Sequence, residues 1–511
     1  MHDRRGFTLQ LGAIRIGSET CPSLPKLYDS MRNTLFIFVV TLCLATIGSS
    51  SHAADRPNVV LFLADDISQE DIGCYGHPTI QTPHIDALAA SGLRFDQAYL
   101  TTSSCSPSRC SMITGRYPHN TGAPELHTEL PAGSVLFPQL LKDAGYYTVL
   151  SGKHHMGKNA NVAFSKISKG KGPGKEEDWV QILEKRPRNK PFFCWYASTD
   201  AHRDWAINDD APKYDPADVV VPPYLVDSEK TREDLASYYH EVSRFDHYVG
   251  QVVAELKRQK VFDNTLLIVM ADNGRPFPRC KTRLYDSGIK TPFVVHYPHG
   301  ATHGVTDSLI SSIDIAATVL ELAEVEKDER IQGVSFVPIL RDAKASVREV
   351  VFAEHNWHVY RNHERLVRFG DWLYIRNNFT DQANLCVEAY TGGAGEDLWA
   401  AKAANDLTNP QQNVFLNPCP AEELYHVGKD AHQLKNLAAN PETQQVLEKA
   451  REVLAQWTAQ TGDTIPENPT PDRDAPPGSP QKDRKAFKHG EMPGESSGAT
   501  SINHPGPLQL P

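Results

Sequence analysis

A cysteine, a proline and an arginine at fixed spacing form the strongest chemical signal in this sequence. Residues 105–115 read CSPSRCSMITG, with Cys105 two residues before Pro107 and four before Arg109. Proline suits the first turn of a helix, because its missing N–H would have no partner there. The pattern predicts a helix that begins just after Cys105 and ends at Gly115. Free N–H groups and the Arg109 cation would then favour negative charge at Cys105.

Acidic and amide side chains follow two buried, strand-like runs. Asp65 and Asp66 directly follow the first run, and Asp272 and Asn273 follow the second. Either pair alone is typical of a turn or a helix cap. Ligands in α/β proteins gather at the carboxyl ends of parallel strands, so two such pairs together with the Cys105 motif favour one shared site. Carboxylate and amide oxygens suit calcium or magnesium rather than zinc.

Basic side chains occur at comparable positions along the chain. Lys153 and His155 follow a third strand-like run, and His202 follows a fourth. Lys281 lies eight residues beyond Asn273. In isolation each of these residues is typical of a solvated loop. Their recurrence after strand-like runs predicts that they meet at one edge of a sheet.

Strand-like and helix-like runs alternate along the first two thirds of the chain. This alternation predicts an α/β fold, in which helices cover both faces of a parallel sheet. From about residue 350, short alternating runs and a helical run predict a smaller antiparallel sheet with a packing helix. Proline, glycine and charge dominate the last segment, which predicts a disordered tail. The predicted organisation is an upstream extension and signal in 1–54, a catalytic domain in 55–345, an α+β subdomain in 346–460 and the tail in 461–511.

The N-terminal region predicts export. An apolar run follows Arg32 and leads to Ser51-His52-Ala53, a small-x-small cleavage site, so a signal peptide is expected at about residues 31–53. The apolar run is too short to span a bilayer comfortably as an anchor. No other stretch of the sequence is apolar enough to cross a membrane. We therefore expect a periplasmic or extracellular protein without stable membrane insertion.

Length, charge and cysteine content narrow the class of protein further. The 511 residues are enough for two domains with a large core. A net charge of −11 with mixed signs argues against a nucleic-acid partner, although a local basic pocket can still bind a polyanion. Among the nine cysteines, Cys386 and Cys419 are the best candidates for a disulfide in an exported protein. No pair has the CxxC spacing of a zinc site.

The Cys105-x-Pro107-x-Arg109 motif resembles the signature of the type I sulfatases of the alkaline-phosphatase superfamily. The resemblance implies a large mixed, mostly parallel sheet between helices and a smaller C-terminal antiparallel subdomain. It implies that a formylglycine-generating maturation enzyme oxidises Cys105 to formylglycine, and that Arg109 steadies the aldehyde hydrate. The activity implied is removal of sulfate from a sulfated saccharide through a covalent sulfate intermediate.

The same resemblance implies roles for the other candidate residues. Lys153 and Lys281 would contact the sulfate, and His155 would hydrogen-bond the nucleophile. His202 would face the leaving group, and either His202 or Lys281 would protonate the leaving atom. Several cations and a divalent metal suit a reaction that builds charge on oxygen. The implied metal is one Ca²⁺ ion, with Mg²⁺ as its main competitor, bound by five residues: Asp65, Asp66, Asp272, Asn273 and the modified Cys105.

Within that family the sequence is most similar to the heparan N-sulfatases, or sulfamidases, which implies N-sulfoglucosamine as the substrate. Lys281 departs from the pattern, because the sulfamidases have an arginine there. A carbohydrate O-sulfatase therefore stays open as an alternative. Specificity is expected to reside in residues 357–419, where the likeness is poor. The likeness includes the segments 104–109, 152–157, 214–222, 272–278, 423–425 and 436–438.

Two further alternatives lead to different activities. Phosphomonoesterases and phosphodiesterases of the superfamily share the carboxylates at the strand ends but place Ser or Thr at the nucleophile, whereas this chain has the intact cysteine motif. A noncatalytic glycan-binding protein with the same fold would keep Cys105 unconverted. The mass of the peptide that carries Cys105 separates this last alternative from an enzyme.

Overall fold

An eight-stranded mixed sheet lies at the centre of the fold. The structure is a computed structural model and describes residues 56–381, 383, 385, 392–475, 479 and 487–510. The predicted signal peptide and Cys386 lie outside the described residues. The strands are β1 (Asn58–Ala64), β2 (Leu93–Phe95), β3 (Ala98–Tyr99), β4 (Tyr147–Gly152), β5 (Lys166–Ser168), β6 (Phe192–Ala197), β7 (Thr265–Ala271), β8 (Phe293–His296), β9 (Gly304–Thr306), β10 (Ile310–Ser311), β11 (Val350–His355), β12 (Glu364–Phe369), β13 (Trp372–Asn377) and β14 (Glu422–His426).

The strand order of the large sheet is β5-β4-β6-β1-β7-β8-β2-β9. Strand β1 pairs in parallel with both β6 and β7, whereas β8 runs antiparallel to β7 and β2. The predicted mixed, mostly parallel sheet is therefore confirmed. The short strands β3 and β10 form a separate parallel pair.

Helices cover both faces of the large sheet, because its strands are apolar on both sides. Alternate residues of β1 belong to two different hydrophobic clusters, with Leu61 on one face and Phe62 on the other. The long helix Glu229–Arg258 packs on the Phe62 face, and Asp314–Leu322 packs on the Leu61 face. The other α-helices are Pro83–Ser91, Cys105–Thr114, Pro118–Thr121, Phe137–Asp143, Trp179–Glu184, Asp286–Ile289, Val337–Arg341, Gly392–Ala403, Asn409–Gln412 and Gln444–Thr461.

A second, antiparallel sheet follows in the order β11-β12-β13-β14. The helix Gln444–Thr461 packs against it through a small cluster that includes Leu454, Trp457 and Phe352. This arrangement confirms the predicted C-terminal sheet with its packing helix. The boundaries at residues 345 and 460 stay predictions, because Arg56–Pro511 form one compact unit. Among the described residues, the structure contains no helix long and apolar enough to cross a bilayer.

The prediction that residues 461–511 are disordered is wrong for the parts that the structure describes. The guanidinium of Arg116 donates hydrogen bonds to the carbonyls of Thr500 and Ile502, at 3.1 and 3.0 Å. The ring of Phe487 stacks on Trp357 with centroids 4.9 Å apart. A polar, proline-rich composition indicates that a segment cannot build a core of its own. This tail instead satisfies its backbone groups with buried side chains of the preceding fold.

Candidate active site

The carboxyl ends of neighbouring parallel strands bring the acidic residues together. Asp65 and Asp66 follow β1, and Asp272 and Asn273 follow its neighbour β7. The backbone N–H of Asp66 donates to Asp272 Oδ1 at 3.3 Å, so the two strand ends are in direct contact. All four side chains are fully buried. The structure thus brings together the acidic and amide residues that the sequence placed in one site.

The helix Cys105–Thr114 presents its first residue to this acidic cluster. Its amide groups bond normally from Ser108 onward, and it ends at Gly115 in the left-handed conformation, with φ of 66°. Cys105 Sγ lies 3.7 Å from Asp65 Oδ1 and 3.9 Å from Asp66 Oδ1. The helix therefore begins at Cys105 itself, one position earlier than predicted.

Three cations contact the acidic cluster from different elements. Arg109 Nε donates to Asp272 Oδ2 at 2.7 Å, and Lys281 Nζ lies 2.7 Å from Asp66 Oδ2. Lys153, at the end of β4, contacts the carboxylate of Asp65. Arg109 also donates to the Lys153 carbonyl at 3.0 Å, which fixes the two cations relative to each other.

Burial and these charges change the acidity of the groups in the cluster. Burial raises the pKa of Asp272 to about 7, because Arg109 only partly offsets the loss of solvent. Burial alone would raise the pKa of Asp65 as well, but Lys153 and other neighbouring cations lower it well below its usual range. Burial also raises the pKa of the Cys105 thiol, which opposes the preference for negative charge expected at this helix start. Desolvation outweighs the helix terminus here.

The acidic cluster fits a hard divalent cation. One ligand atom each from Asp65, Cys105 and Asp272 lie within 4.8 Å of one another. The buried amide oxygen Oδ1 of Asn273 has no hydrogen-bond partner in the described part of the chain, whereas its Nδ2 donates to Asp66 at 2.5 Å. A divalent cation would satisfy that oxygen and would keep Asp272 ionised. Oxygen donors of this kind match calcium or magnesium rather than zinc.

A cleft of about 440 Å³ opens onto Cys105. Among the predicted site residues, Asp66, His155, His202 and Lys281 also line it. A second cavity adjoins this cleft and shares His202 with it. Asp65 and Lys153 line this second cavity. All the candidate residues named from the sequence therefore lie in or directly behind one pocket.

The pKa values of the two predicted histidines are both lowered. Burial, with Lys153 and Arg109, lowers the pKa of His155 to about 2. The charge of Lys281, followed by burial, lowers the pKa of His202. His155 Nδ1 is buried and has no hydrogen-bond partner among the described residues. That nitrogen is therefore available to a molecule bound in the cleft.

The structure adds cleft residues that the sequence did not single out. His127, whose ring centroid lies 5.0 Å from that of His155, and Arg473 both line the cleft. In the segment 357–419, His358 also lines it and bonds Ser104 Oγ at 2.7 Å. Arg361 instead pairs with Asp381 at the surface. Of these two residues of the segment, His358 therefore reaches the cleft and Arg361 does not, and the tail contributes Arg473.

A buried carboxylate cluster, several directed cations and a nucleophile position at strand ends define a hydrolase that acts on an anionic ester. Comparison with known proteins gives the family. The family described as Sulfatase matches residues 57–174 and 177–325, and the family described as N-sulphoglucosamine sulphohydrolase, C-terminal, matches residues 280–371. The chain belongs to the sulfatase family, and it is a sulfatase.

Individual relatives cover most of the chain. It is 30% identical to the human N-sulphoglucosamine sulphohydrolase over an alignment of 463 residues. That alignment covers 80% of this chain and 91% of that protein. It is 27% identical to an ulvan-active sulfatase of Formosa agariphila over 470 residues, covering 81% and 77%. The fold is similar to that of BT4656, solved in complex with its substrate D-glucosamine-2-N,6-O-disulfate. That likeness has a TM-score of 0.61 and 18% identity, and it covers 79% of this chain and 98% of that one.

Proposed function

We propose that this sulfatase removes the N-linked sulfate of N-sulfoglucosamine in heparan-type glycans. The observation that carries the proposal is the match to N-sulphoglucosamine sulphohydrolase, which spans both the catalytic fold and the start of the antiparallel sheet. The cleft is consistent with it, because three cations contact the acidic cluster that Cys105 Sγ also approaches. A sulfate group carries its charge on several oxygens, so it needs several donors that point at one place.

Cys105 is proposed to act as formylglycine after conversion by a maturation enzyme. When present, that group supplies a geminal diol, whose one hydroxyl attacks sulfur and whose other allows sulfate to leave. The metal proposed is Ca²⁺, with Mg²⁺ as the competitor, and it would supply positive charge that stabilises developing negative charge on oxygen. The residues proposed to hold it are Asp65, Asp66, Asp272, Asn273 and the modified Cys105.

The chain's own side chains then bind and orient the sulfate. Lys153 and Lys281 are proposed to donate hydrogen bonds to its oxygens, and Arg109 holds Lys153 and Asp272 in place. His202 faces the cleft, where it or Lys281 would deliver a proton to the leaving nitrogen. His155 would hold a proton at its unpartnered Nδ1, because a bound anion raises the pKa of a neighbouring imidazole.

Lys281 favours a second candidate, an O-sulfatase acting on a carbohydrate. The resemblance to the sulfamidases fails at this position, where they have arginine. The ulvan-active sulfatase is also a relative of similar coverage. An ammonium group contacts oxyanions as a point charge, whereas a guanidinium makes a planar, two-pronged contact. The two candidate functions therefore differ in the contact expected at position 281. Lysine makes a single point-charge contact with the sulfate, whereas arginine makes a two-pronged one.

The decisive experiment measures sulfate release by the converted enzyme from matched glucosamine sulfates. N-sulfoglucosamine, glucosamine 6-O-sulfate and glucosamine 3-O-sulfate should be compared by kcat/KM. The proposal expects N-sulfoglucosamine to be preferred by at least about tenfold. A preference for either O-sulfated sugar would establish the second candidate instead. Mass spectrometry of the Cys105 peptide confirms that the preparation is converted.

Export is the remaining part of the proposal. The signal expected at about residues 31–53 supports a periplasmic or extracellular location. Expression of the full chain, followed by cell fractionation and N-terminal sequencing of the mature protein, tests it. A mature N-terminus close to residue 54 in the exported fraction is expected, and an unprocessed chain retained in the cytosol would contradict export.

A further inference from the structure

The C-terminal tail reaches into the active-site cleft. Arg473 lines the same cleft as Cys105, Lys281 and His155, although it belongs to the segment that its composition marks as disordered. The tail therefore contributes a guanidinium group to the cleft. Burial is the largest cause of the lowered pKa of His127 and His358, and the charge of Arg473 contributes to both.

The backbone around Arg473 is held in a defined position. Its N–H donates to the carbonyl of Val359 at 2.8 Å, and the indole Nε1 of Trp357 donates to the carbonyl of Pro471 at 2.8 Å. The guanidinium lies over the Trp357 ring, 5.7 Å from its centroid. A cation that packs on an aromatic face keeps its N–H edge free to bind other groups. The arginine is thus placed by its surroundings before any ligand binds.

The guanidinium itself is incompletely paired. Its Nε is buried and makes no hydrogen bond among the described residues. It pairs with the neighbouring Asp474, whose Oδ1 lies 3.5 Å from Nε, which is too far for a good hydrogen bond. The side chain remains 21% exposed and lines the cleft. A guanidinium has five N–H donors, so this weak ion pair leaves Arg473 able to bind an anion in the cleft.

We propose that Arg473 forms a binding subsite for a second anionic group of the substrate, separate from the sulfate that is cleaved. The ligand chemistry is an oxyanion attached to the saccharide, either another sulfate or the carboxylate of a neighbouring uronic acid. The inference rests on the proposed function, because it takes a sulfated saccharide as the substrate. The tail is then a specificity element, and Arg473 is a residue that contacts substrate without taking part in bond cleavage.

The test compares substrates that differ by one anionic group. N-sulfoglucosamine has one, whereas N,6-O-disulfoglucosamine and a disaccharide of N-sulfoglucosamine with a uronic acid have two. For R473Q, we expect kcat/KM to fall by about 10- to 100-fold on at least one two-anion substrate, as for a lost charge-assisted hydrogen bond. The loss on N-sulfoglucosamine should be at least about tenfold smaller. R473K should recover part of the selectivity, because it keeps the charge but not the fork.

R361Q provides the matched control, since it removes the same charge two residues from Val359 at a side chain paired with Asp381 outside the cleft. For R361Q, any loss of kcat/KM should be the same on the one-anion substrate as on the two-anion substrates. Loss confined to the 6-O-sulfated sugar identifies sulfate as the second anion, and loss confined to the disaccharide identifies the carboxylate. Equal losses of R473Q on all three substrates, or none, overturn the subsite.

Two further measurements separate the remaining explanations. Melting temperature and limited proteolysis of the tail show whether R473Q has released the segment around Arg473, and R473K repeats the test in a chain that keeps the cation. If the converted enzyme without substitutions does not cleave N-sulfoglucosamine but cleaves an O-sulfated sugar, the proposed function fails. The subsite is then tested on that sugar with and without a second anion, so the two failures remain distinguishable.

Discussion

Two buried clusters of acidic side chains resemble each other in composition and differ in their pairing. The active-site cluster contains Asp65, Asp272 and Cys105, and the junction cluster contains His119, Glu354 and Asp463, where the tail begins. In each cluster, ligand atoms of three residues lie within 4.8 Å of one another. By spacing alone, either cluster qualifies as a metal site.

In the junction cluster a guanidinium already lies between the acids. Arg365 donates to Asp463 at 2.6 and 2.7 Å and lies 3.6 Å from Glu354, while His119 Nδ1 bonds Glu354 at 2.9 Å. Burial would raise the pKa of both carboxyl groups, but Arg365 and His119 lower it below the usual range. These acids are ionised and satisfied by the protein itself.

In the active-site cluster the acids also contact a guanidinium, because Arg109 lies 2.7 Å from Asp272 and 3.8 Å from Asp65. Even so, burial raises the pKa of Asp272 to about 7, and Asn273 Oδ1 has no partner among the described residues. The comparison shows that incomplete compensation of burial, rather than the number of acidic ligands, distinguishes a place for a cation from a structural ion-pair network.

The largest effect is expected at the sulfur position of the active-site cluster. Unconverted C105S has one hydroxyl where an aldehyde hydrate has two, so sustained turnover should fall by on the order of 10⁴-fold or more, with at most one sulfate released per enzyme molecule. Sulfate release over time measures this result. The melting temperature should stay close to that of the unmodified sequence, since oxygen replaces sulfur in a nearly identical volume. Continued turnover by C105S would overturn the proposed mechanism.

The next effect is a loss of stability in the junction cluster. D463N removes one partner of a buried ion pair and should lower the free energy of unfolding by about 3 kcal/mol. Urea unfolding near neutral pH measures it. E422Q is the control, because it breaks the ion pair with Arg451, which is partly exposed, and should cost about 1 kcal/mol or less.

The same variant has a characteristic pH dependence. The pKa of Asp463 is lower in the folded chain than its ordinary value of 3.8. Its contribution to stability is therefore complete above that ordinary value and is lost as the pH falls below it. D463N should approach the unmodified sequence in stability as the pH is lowered from about 5 to 3. A constant difference over that range would contradict the assignment of the effect to this carboxylate.

A smaller effect is the stabilisation by Ca²⁺, which should depend on the active-site cluster and not on the junction cluster. Saturating Ca²⁺ should stabilise the unmodified sequence by up to about 2.7 kcal/mol, as for a ligand at 100 times its Kd. D272N should weaken binding by at least about tenfold, because it removes a charged ligand whose burial the neighbouring cations only partly offset. D463N should retain the full response to Ca²⁺. Metal analysis and melting curves with calcium or chelator measure both, and equal effects of the two variants would break the comparison.

Most of the fold and nearly all of the active-site cluster follow from local patterns. Strand β1 is apolar from residue 59 to residue 64 because helices cover both faces, and polar residues directly after buried strands mark the ligand edge of a parallel sheet. Local pattern also predicts the helix end at Gly115. These features depend on neighbours in sequence, so a single chain is enough to reveal them.

Arg473 and the ordered tail could not be predicted in the same way. Composition reports whether a segment can bury its own apolar surface, and residues 461–511 cannot. Their order comes from partners far away in sequence, such as Arg116 and Glu125, whose buried polar groups accept or donate bonds to the tail. The position of Arg473 depends on a contact with Val359, more than a hundred residues earlier.

The smallest effect tests whether the hydrogen bonds of Thr470, as distinct from the Asp463 ion pair, hold the tail near the cleft. Thr470 Oγ1 donates to the buried carboxylate of Glu125 at 2.6 Å, and His489 also bonds that carboxylate, at 2.7 Å. Thr470 Oγ1 also accepts the Gly490 N–H at 2.9 Å. T470V keeps the side-chain volume but removes this donor and this acceptor, at a cost of about 1 kcal/mol, because His489 still partners Glu125.

That cost should appear locally, because it concerns the edge of the tail. Hydrogen exchange of peptides covering residues 464–475 should accelerate by about fivefold, as 1 kcal/mol of local opening implies, while peptides of β1 and β7 stay unchanged. T458V serves as the control, since Thr458 Oγ1 donates only within its own exposed helix turn. If T470V instead accelerated exchange throughout the chain, the tail and the sheet would open as one unit. The tail segment beside the cleft would then have no stability of its own, separate from that of the large sheet. The difference between the junction cluster and the active-site cluster could then not be tested by loosening the tail alone.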